Sequence, residues 1–312
     1  MAQTFLAIGE CMIELSPQDG NSLTVGFAGD TFNTAWYARR LAAPDALSVS
    51  YFTALGDDEM SSRMIRFMEE AGITPNIAEI EGASPGLYMI FLEEGERHFQ
   101  YWRSQSAARQ LASHLDRLPA LRSGDLVYFS GITMAILPET GRQSLLARLR
   151  GLSETGVRIA FDPNLRPKLW NTAADMIRWT TEAAAAAEII LPSYADEADH
   201  FGDLAPEDTA KRYLDNGSAI AVVKDGSGPV TVRTAGRFAF QYHPESLDTV
   251  VDTTAAGDSF NAGFLVEYLS GSGLHHAVGT GCRVSRQVIS NRGALVPVSL
   301  SGTVGDAAKV PG

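Results

Sequence analysis

Asp252-Thr253-Thr254-Ala255-Ala256-Gly257-Asp258-Ser259-Phe260-Asn261-Ala262-Gly263-Phe264-Leu265 joins a polar loop to an apolar-periodic helix carrying Phe260, Phe264, Leu265, Tyr268 and Leu269. Small residues just before a helix let backbone N–H groups crowd around an anion, and the positive helix end adds attraction. Asp258 falls in the first helical turn, where a negative charge is favourable in its own right. Beside a bound phosphoryl group, however, a carboxylate is repelled unless it has a proton to take. Two readings follow. One is an ordinary small-residue turn with a helix-start charge; the other is a general base facing a transferring phosphoryl group.

Around this stretch the chain alternates between short apolar runs and helical patterns. Phe5–Gly9, Leu47–Ala54, Leu126–Phe129, Val157–Phe161, Glu188–Leu191, Ala219–Lys224 and Val230–Arg233 read as strands. Helices are expected over about 30–41, 60–71, 138–154 and 172–187. This order predicts an α/β fold: a doubly wound, mostly parallel sheet with helices on both faces and ligands at the strand C-termini. Two stretches break the alternation. Residues 11–27 and 86–103 each read as a β-hairpin, and together they predict one small separate sheet. In the second hairpin a period of two puts Phe99, Tyr101 and Arg103 on one face and His98, Gln100 and Trp102 on the other. The whole chain, 1–312, is expected to form a single domain with this small sheet as an appendage, and Gly302–Gly312 to be a frayed tail.

Composition excludes several classes. The 312 residues are 45% hydrophobic and 20% charged, an ordinary globular profile, with a formal net charge of −12. That charge argues against nucleic acid or an anionic membrane as partner, although a local arginine cluster can still hold an anionic substrate. The two cysteines, Cys11 and Cys282, have no metal or pairing spacing. With no basic, long apolar leader at Met1–Gly9, a cytoplasmic location is expected.

Three further stretches carry polar groups at strand ends or helix starts. Ala28-Gly29-Asp30-Thr31-Phe32-Asn33 opens a helix, where Asp30 or Thr31 can serve as a plain N-cap or, with Asn33, present polar groups to a ligand. Asp57 and Asp58 read as helix-start chemistry and are assigned no further role. In Asp162-Pro163-Asn164-Leu165-Arg166 the proline stops a strand, so Asn164 and Arg166 project towards the crevice. Lys224-Asp225-Gly226-Ser227-Gly228 follows another strand end.

The Asp252–Asp258 block resembles the C-terminal signature of the ribokinase-like (PfkB) sugar kinases, usually Asp-Thr-x-Gly-Ala-Gly-Asp. Ala255 replaces the first glycine of that core and narrows how the loop can bend. The resemblance implies Asp258 as catalytic base, with Ala255, Ala256 and Gly257 as an anion hole. The Ala28–Asn33 stretch is similar to the family's Gly-Gly-x-x-x-Asn signature, implying that Gly29, Asp30 and Asn33 hold sugar hydroxyls. Asp252 is grouped with the substrate residues. Lys224–Gly228 resembles the Lys-x-Gly-x-x-Gly nucleotide loop, with Pro229 where the last glycine is expected. It implies ATP contacts from Lys224, Gly226 and Gly228, joined by Asn164, Arg166 and the anion hole. Ser193-Tyr194-Ala195-Asp196 departs from the family's Asn-x-x-Glu, so Mg²⁺ is expected to be held through nucleotide phosphates and water, with no protein ligand assigned. The two hairpins resemble the family's β-lid over the sugar.

Gly9-Glu10-Cys11-Met12-Ile13-Glu14-Leu15, Pro85-Gly86-Leu87-Tyr88, Tyr101-Trp102-Arg103 and Asp162–Pro167 occur in order with these blocks. Together they are similar to the members that phosphorylate a sugar acid, 2-keto-3-deoxygluconate, at its 6-hydroxyl. Such a substrate needs a cation that a neutral sugar does not, and Arg103 and Arg166, with Tyr88 and Tyr101, are the expected grip. Exposed lid edges make a homodimer through the lid the expected assembly. Three alternatives stand beside this reading. One is a fructokinase- or ribokinase-type sibling. Another is a nicotinamide-dependent oxidoreductase, although Gly9-Glu10-Cys11 lacks a Gly-x-Gly-x-x-Gly fingerprint. The third is a sugar-binding module without turnover.

Overall fold

The computed structural model describes residues 2–18, 22–93 and 96–300, so the tips of both hairpins and the tail lie outside the described residues. In chain order the elements are β1 (Gln3–Ile8), β2 (Met12–Pro17), β3 (Leu23–Ala28), α1 (Asp30–Leu41), β4 (Leu47–Leu55), α2 (Glu59–Glu70), β5 (Thr74–Glu79), β6 (Leu87–Glu93) and β7 (Glu96–Trp102). Then come β8 (Leu126–Ser130), α3 (Gly131–Ile136), α4 (Glu139–Glu154), β9 (Arg158–Asp162), α5 (Ala173–Ala184), β10 (Ile189–Ile190), α6 (Tyr194–Phe201) and α7 (Pro206–Asp215). The chain continues through β11 (Ile220–Val223), β12 (Val230–Thr234), β13 (Ala239–Tyr242), α8 (Ala256–Leu269) and α9 (Leu274–Ile289).

Nine strands form one sheet in the order β13-β12-β11-β10-β9-β8-β1-β4-β5. All neighbours from β5 to β11 run parallel, and β12 and β13 turn back antiparallel. The inner strands are mostly apolar because both faces are covered. Alternation then sorts each strand between two cores. Phe5 and Ala7 of β1, with Tyr51, Leu126 and Tyr128, pack under α1, α2, α8 and α9. Leu6 and Ile8, with Phe52, Val127 and Phe129, pack under α3, α4 and α5 on the other side. Helix α2 starts on Asp58, whose side chain accepts from Ser61 N at 2.7 Å, in line with the helix-start reading.

β1 lies between β4 and β8. The chain builds outward from it first on one side and then on the other, so the strand order reverses at the β1–β8 boundary. That is where an open α/β sheet leaves a crevice. The C-terminal ends of β1, β8, β9 and β11 therefore deliver Glu10, Ser130, Asp162 and Lys224 to one region.

The two hairpins pair as expected into a second sheet, in the order β3-β2-β6-β7. Each hairpin is antiparallel, and β2 joins β6 in parallel. Tyr88 stands opposite Tyr101, and both rings, with Phe99, share the face expected from the period of two. Among the described residues no helix is long and apolar enough to cross a membrane.

One close approach ties a helix start to the crevice. A Cβ on Gly131, the first residue of α3, would lie 1.8 Å from the carbonyl oxygen of Pro163. Gly131→Ala should therefore cost at least about 2 kcal/mol by overpacking. Gly151, exposed within α4, has nothing within 4 Å of its would-be Cβ. Gly151→Ala should instead gain about 0.5–1 kcal/mol from helix propensity. Urea denaturation of the two variants checks the opposite signs.

Candidate active site

The N-termini of α1 and α8 open into one cavity of about 460 Å³, between the small sheet and the strand ends of the large one. Asn33 of α1 donates through Nδ2 to Oδ2 of Asp258 at 2.8 Å, and Thr34 Oγ1 donates to the Asp258 carbonyl at 3.2 Å. Asn33 is itself held, its Oδ1 accepting from Gly29 N at 3.3 Å. Across the cavity Asn164 Nδ2 donates to Oδ2 of Asp30 at 2.9 Å. Asn164 reaches this position with φ 35°, a left-handed conformation that asparagine tolerates better than most residues. Its N–H donates to Asp162 Oδ1 at 2.9 Å, which fixes the turn after β9.

The surroundings of Asp258 push its carboxyl up to about 8. Burial is the first cause, and the charges of Asp30 and Asp162 add to it. The Asn33 hydrogen bond and Lys224 pull the other way. Asp30 is raised as well, chiefly by burial, against hydrogen bonds from Ser130, Thr31 and Asn164. A carboxylate tuned towards neutrality at a helix N-terminus fits a general base.

The loop before α8 bends at Ala255, which has φ 59°. This is the left-handed conformation that glycine adopts freely and that costs an L-residue about 1 kcal/mol. An alanine at this bend therefore adds strain that a glycine would not. Not every small residue here aims an amide at a ligand. Ala256 N donates to Thr253 O at 3.2 Å, leaving the Gly257 and Asp258 amides, in the first turn, as the donors a helix leaves open.

Lys224 lies on the cavity floor. Its Nζ donates to Asp162 Oδ2 and Asn261 Oδ1, each at 3.0 Å, and would sit 3.7 Å from a Cβ on Gly257. Asn261 Nδ2 donates to Asp162 Oδ2 at 2.6 Å and to the Tyr128 hydroxyl at 3.0 Å. Sequence reasoning left Asp162, Asn261 and Tyr128 unassigned. For Asn261 a signal existed, since it lies three residues after Asp258 and so shares its helix face.

The lid contributes Tyr88, Phe99, Tyr101 and Arg103 to the cavity wall. The Tyr88 hydroxyl donates to Glu14. Arg103 forms an ion pair with Glu10, and both side chains are almost wholly buried. Arg166 lies 3.7 Å from Asp196, both half-exposed on the wall. Gly29, Asp30, Asn33, Asn164, Arg166 and Ala255–Asp258 all line the cavity. Three expected site residues are not among its lining. Gly226 and Gly228 form a turn closed by Gly228 N donating to Asp225 O at 2.6 Å. Asp252 accepts from Thr254 N at 3.0 Å and from Gly293 N at 2.8 Å, which shapes the loop before the anion hole.

A profile of the pfkB family carbohydrate kinases matches residues 2–299, and the chain belongs to this family. It is 38% identical over 297 residues to 2-dehydro-3-deoxygluconokinase of Haemophilus influenzae, covering 93% of this chain and 94% of that one. It is 39% identical over 298 residues to the protein of the same name from Dickeya dadantii, covering 93% and 96%. Among solved structures, aminoimidazole riboside kinase from Salmonella enterica, in complex with aminoimidazole riboside and an ATP analogue, superposes with a TM-score of 0.81. The identity is 22% over 93% of this chain and 94% of that one, a shared ribokinase-like fold. Membership of a carbohydrate kinase family sets aside the nicotinamide-dependent alternative.

Asp258→Asn keeps the acceptor for Asn33 and should lower kcat by about 10²–10⁴. In the wild type kcat/KM should rise with pH through an apparent pKa near 8, far above the ordinary carboxylate range. Stability should move oppositely. The folded protein keeps a proton that the unfolded chain loses near 3.8, so this group costs stability as pH rises from there towards 8. Asp258→Asn should therefore raise Tm most at pH 8 and least near pH 4, as calorimetry at the two values can show.

Proposed function

We propose that the chain transfers the γ-phosphoryl group of ATP to the 6-hydroxyl of 2-keto-3-deoxy-D-gluconate, also written 2-dehydro-3-deoxygluconate, giving the 6-phosphate and ADP. The observation that carries this reading is the cavity itself. A base-like carboxyl at an anion-binding helix end stands on one side, and a lid carrying a guanidinium and two tyrosines stands on the other. The curated relatives bear the name of this activity.

Asp258 takes the proton of the 6-hydroxyl as that oxygen bonds to the γ-phosphorus. The bond from the γ-phosphorus to the bridging oxygen breaks, and ADP leaves with its electrons. Asn33 holds Oδ2 of Asp258, which leaves Oδ1 to accept the proton. The amides of Gly257 and Asp258 and the Lys224 ammonium face the charge on the γ-phosphoryl oxygens. Gly29, Asp30 and Asn33 hold sugar hydroxyls, and Asn164 and Arg166 reach the nucleotide side.

Both oxygens of Asp162 are already engaged by protein donors, whereas Asp196 keeps an open face on the cavity wall. That donor set fits Mg²⁺ held mainly through nucleotide phosphates and water: Asp196 would hold one of those waters, and the ion would supply neutralisation of the phosphate charge. The lid, closing over the sugar, excludes the water that would compete as acceptor.

A neutral-sugar kinase is the alternative that one observation favours, because Glu10 offsets the charge of Arg103. Arg103→Ala separates the two. For the sugar acid, kcat/KM should fall by about 30-fold or more, the scale for truncating one member of a buried charged contact. An analogue with the carboxylate reduced to an alcohol should change far less. Equal loss on both substrates would mean that Arg103 supports the lid without reading charge.

The outward lid face exposes Leu23, Val25, Phe91 and Trp102. This apolar strip is suited to a second copy of the chain. Sedimentation velocity should find a dimer for the wild type and a monomer for Val25→Lys.

A further inference from the structure

The backbone passes between the two sheets four times, and all four crossings converge on Glu10. The first is Glu10 itself leading through Cys11 into β2. The second is the return at Gly29, whose would-be Cβ lies 2.1 Å from the Glu10 carbonyl oxygen. The third is the departure at Gly86, whose would-be Cβ lies 2.6 Å from Glu10 Oε1 and 3.1 Å from the Arg103 Cβ. The fourth is the return at Arg103, ion-paired with Glu10. Glycine at two crossings allows the backbone to close on Glu10, at its carbonyl from Gly29 and at its carboxylate from Gly86. Gly26, inside β3, has only ordinary contacts at 3.7 Å and shows no such crowding.

The ion pair is not fully used. Glu10 is 2% exposed, yet Oε1 has no partner, and Arg103 Nε is likewise buried without one. A carboxylate and a guanidinium this close normally bond through two parallel N–H···O contacts. Here one η nitrogen makes the contact while a donor and an acceptor stand idle beside it. Leaving both unpaired is costly in a buried setting, so a small turn of the lid that brings Nε to Oε1 is favoured.

We infer that Glu10 is a positioning residue for the lid: the four crossings pivot on it, and its pairing with Arg103 passes from one contact to two as the lid closes. The core carboxylate then sets the angle at which Arg103 presents its remaining nitrogen to the sugar acid. Glu10 acts through Arg103 and touches no reacting atom. This deepens the sugar-acid reading above and rests on it.

The test is a double-mutant cycle of Glu10→Gln, Arg103→Gln and the pair, with Gly86→Ala crowding the same oxygen from the lid side. KM for 2-keto-3-deoxygluconate, the ratio of ADP to sugar phosphate, and hydrogen exchange over 12–17 and 98–102 are measured. Glu10→Gln should raise KM by about 10- to 100-fold, the scale of a misplaced binding group, with a smaller change in kcat. The ADP ratio should rise above one, and lid exchange should quicken. Gly86→Ala should move the same three readouts in the same direction. On top of Arg103→Gln, Glu10→Gln should add less than about twofold. Additive effects in the cycle, or a KM within about twofold of wild type for Glu10→Gln, would overturn the inference. If Glu10→Gln does not fold, Glu10→Asp carries the same measurements. If the wild type does not turn over the sugar acid, the substrate assignment fails; the role of Glu10 is then decided by ligand-free exchange in the variant lid, where no change overturns it.

Discussion

Two helices point their positive ends at the same cavity, and each carries an aspartate there. The Asn33–Asp258 hydrogen bond joins them across 225 residues of sequence. Much of the architecture serves to make that meeting possible. The sheet must reverse its strand order at β1 so that α1 and α8 start on the same side. The loop before α8 must bend through a left-handed alanine so that Asp258 faces Asn33 and not solvent. The helix ends attract anions, and the aspartates repel them. Phosphoryl transfer needs both effects in one place.

Placing so many ionised groups out of water is unfavourable, and the structure offsets the cost by interlocking them. Asp162 accepts from Lys224, Asn261 and the Asn164 amide, so its charge is spread over three donors. A second buried cluster, Glu197 with Arg212 and Tyr213, sits behind α6 and fixes the helix whose first turn carries Asp196. Buried ion pairs seldom add stability over an apolar replacement of the same shape. Their effect here is to leave each polar group a single orientation, at a stability below what the fold could reach.

The large sheet was legible because fully buried parallel strands are written as continuous apolar runs, and a run such as Phe5–Ile8 fits no other place. The small sheet was legible for the converse reason, since two hairpins interrupted the alternation and had only each other to pair with. At the Asp258 loop local chemistry, small residues before a helix, left a plain turn and an anion site both open, and the family resemblance favoured the second. Lys224 was read through its glycine-rich neighbours as part of a nucleotide loop. In the structure its side chain turns inward to Asp162, while Gly226 and Gly228 stay in their own turn. Glu10 lies in the family-like Gly9–Leu15 stretch, but nothing local marked it for a role. Its importance arises from segments up to 93 residues away meeting it, Gly29 at its carbonyl and Gly86 and Arg103 at its carboxylate, which no spacing rule reports.

The acidity of the site and its taste for anions have a common origin. Five carboxylates, Glu10, Asp30, Asp162, Asp196 and Asp258, line the cavity against three cations, Arg103, Arg166 and Lys224. With every group ionised the lining would be net negative and would repel both a nucleotide and a sugar acid. Burial raises both Asp258 and Asp30, and the charges of Asp30 and Asp162 add to the rise at Asp258, so these carboxyls give up their protons less readily than ordinary aspartates. The cations are spread over different walls, with Lys224 towards the anion hole, Arg103 on the lid side and Arg166 on the outer wall. An incoming anion then meets oriented cations and helix ends, with the strongest carboxylate repulsion already muted. The crowding that makes Asp258 reluctant to ionise also makes it eager for the proton of a sugar hydroxyl once phosphoryl transfer begins. The protonated form that eases anion entry and the ionised form that takes the hydroxyl proton are different states of one carboxyl, so the two demands meet only where Asp258 exchanges its proton, at an apparent pKa near 8.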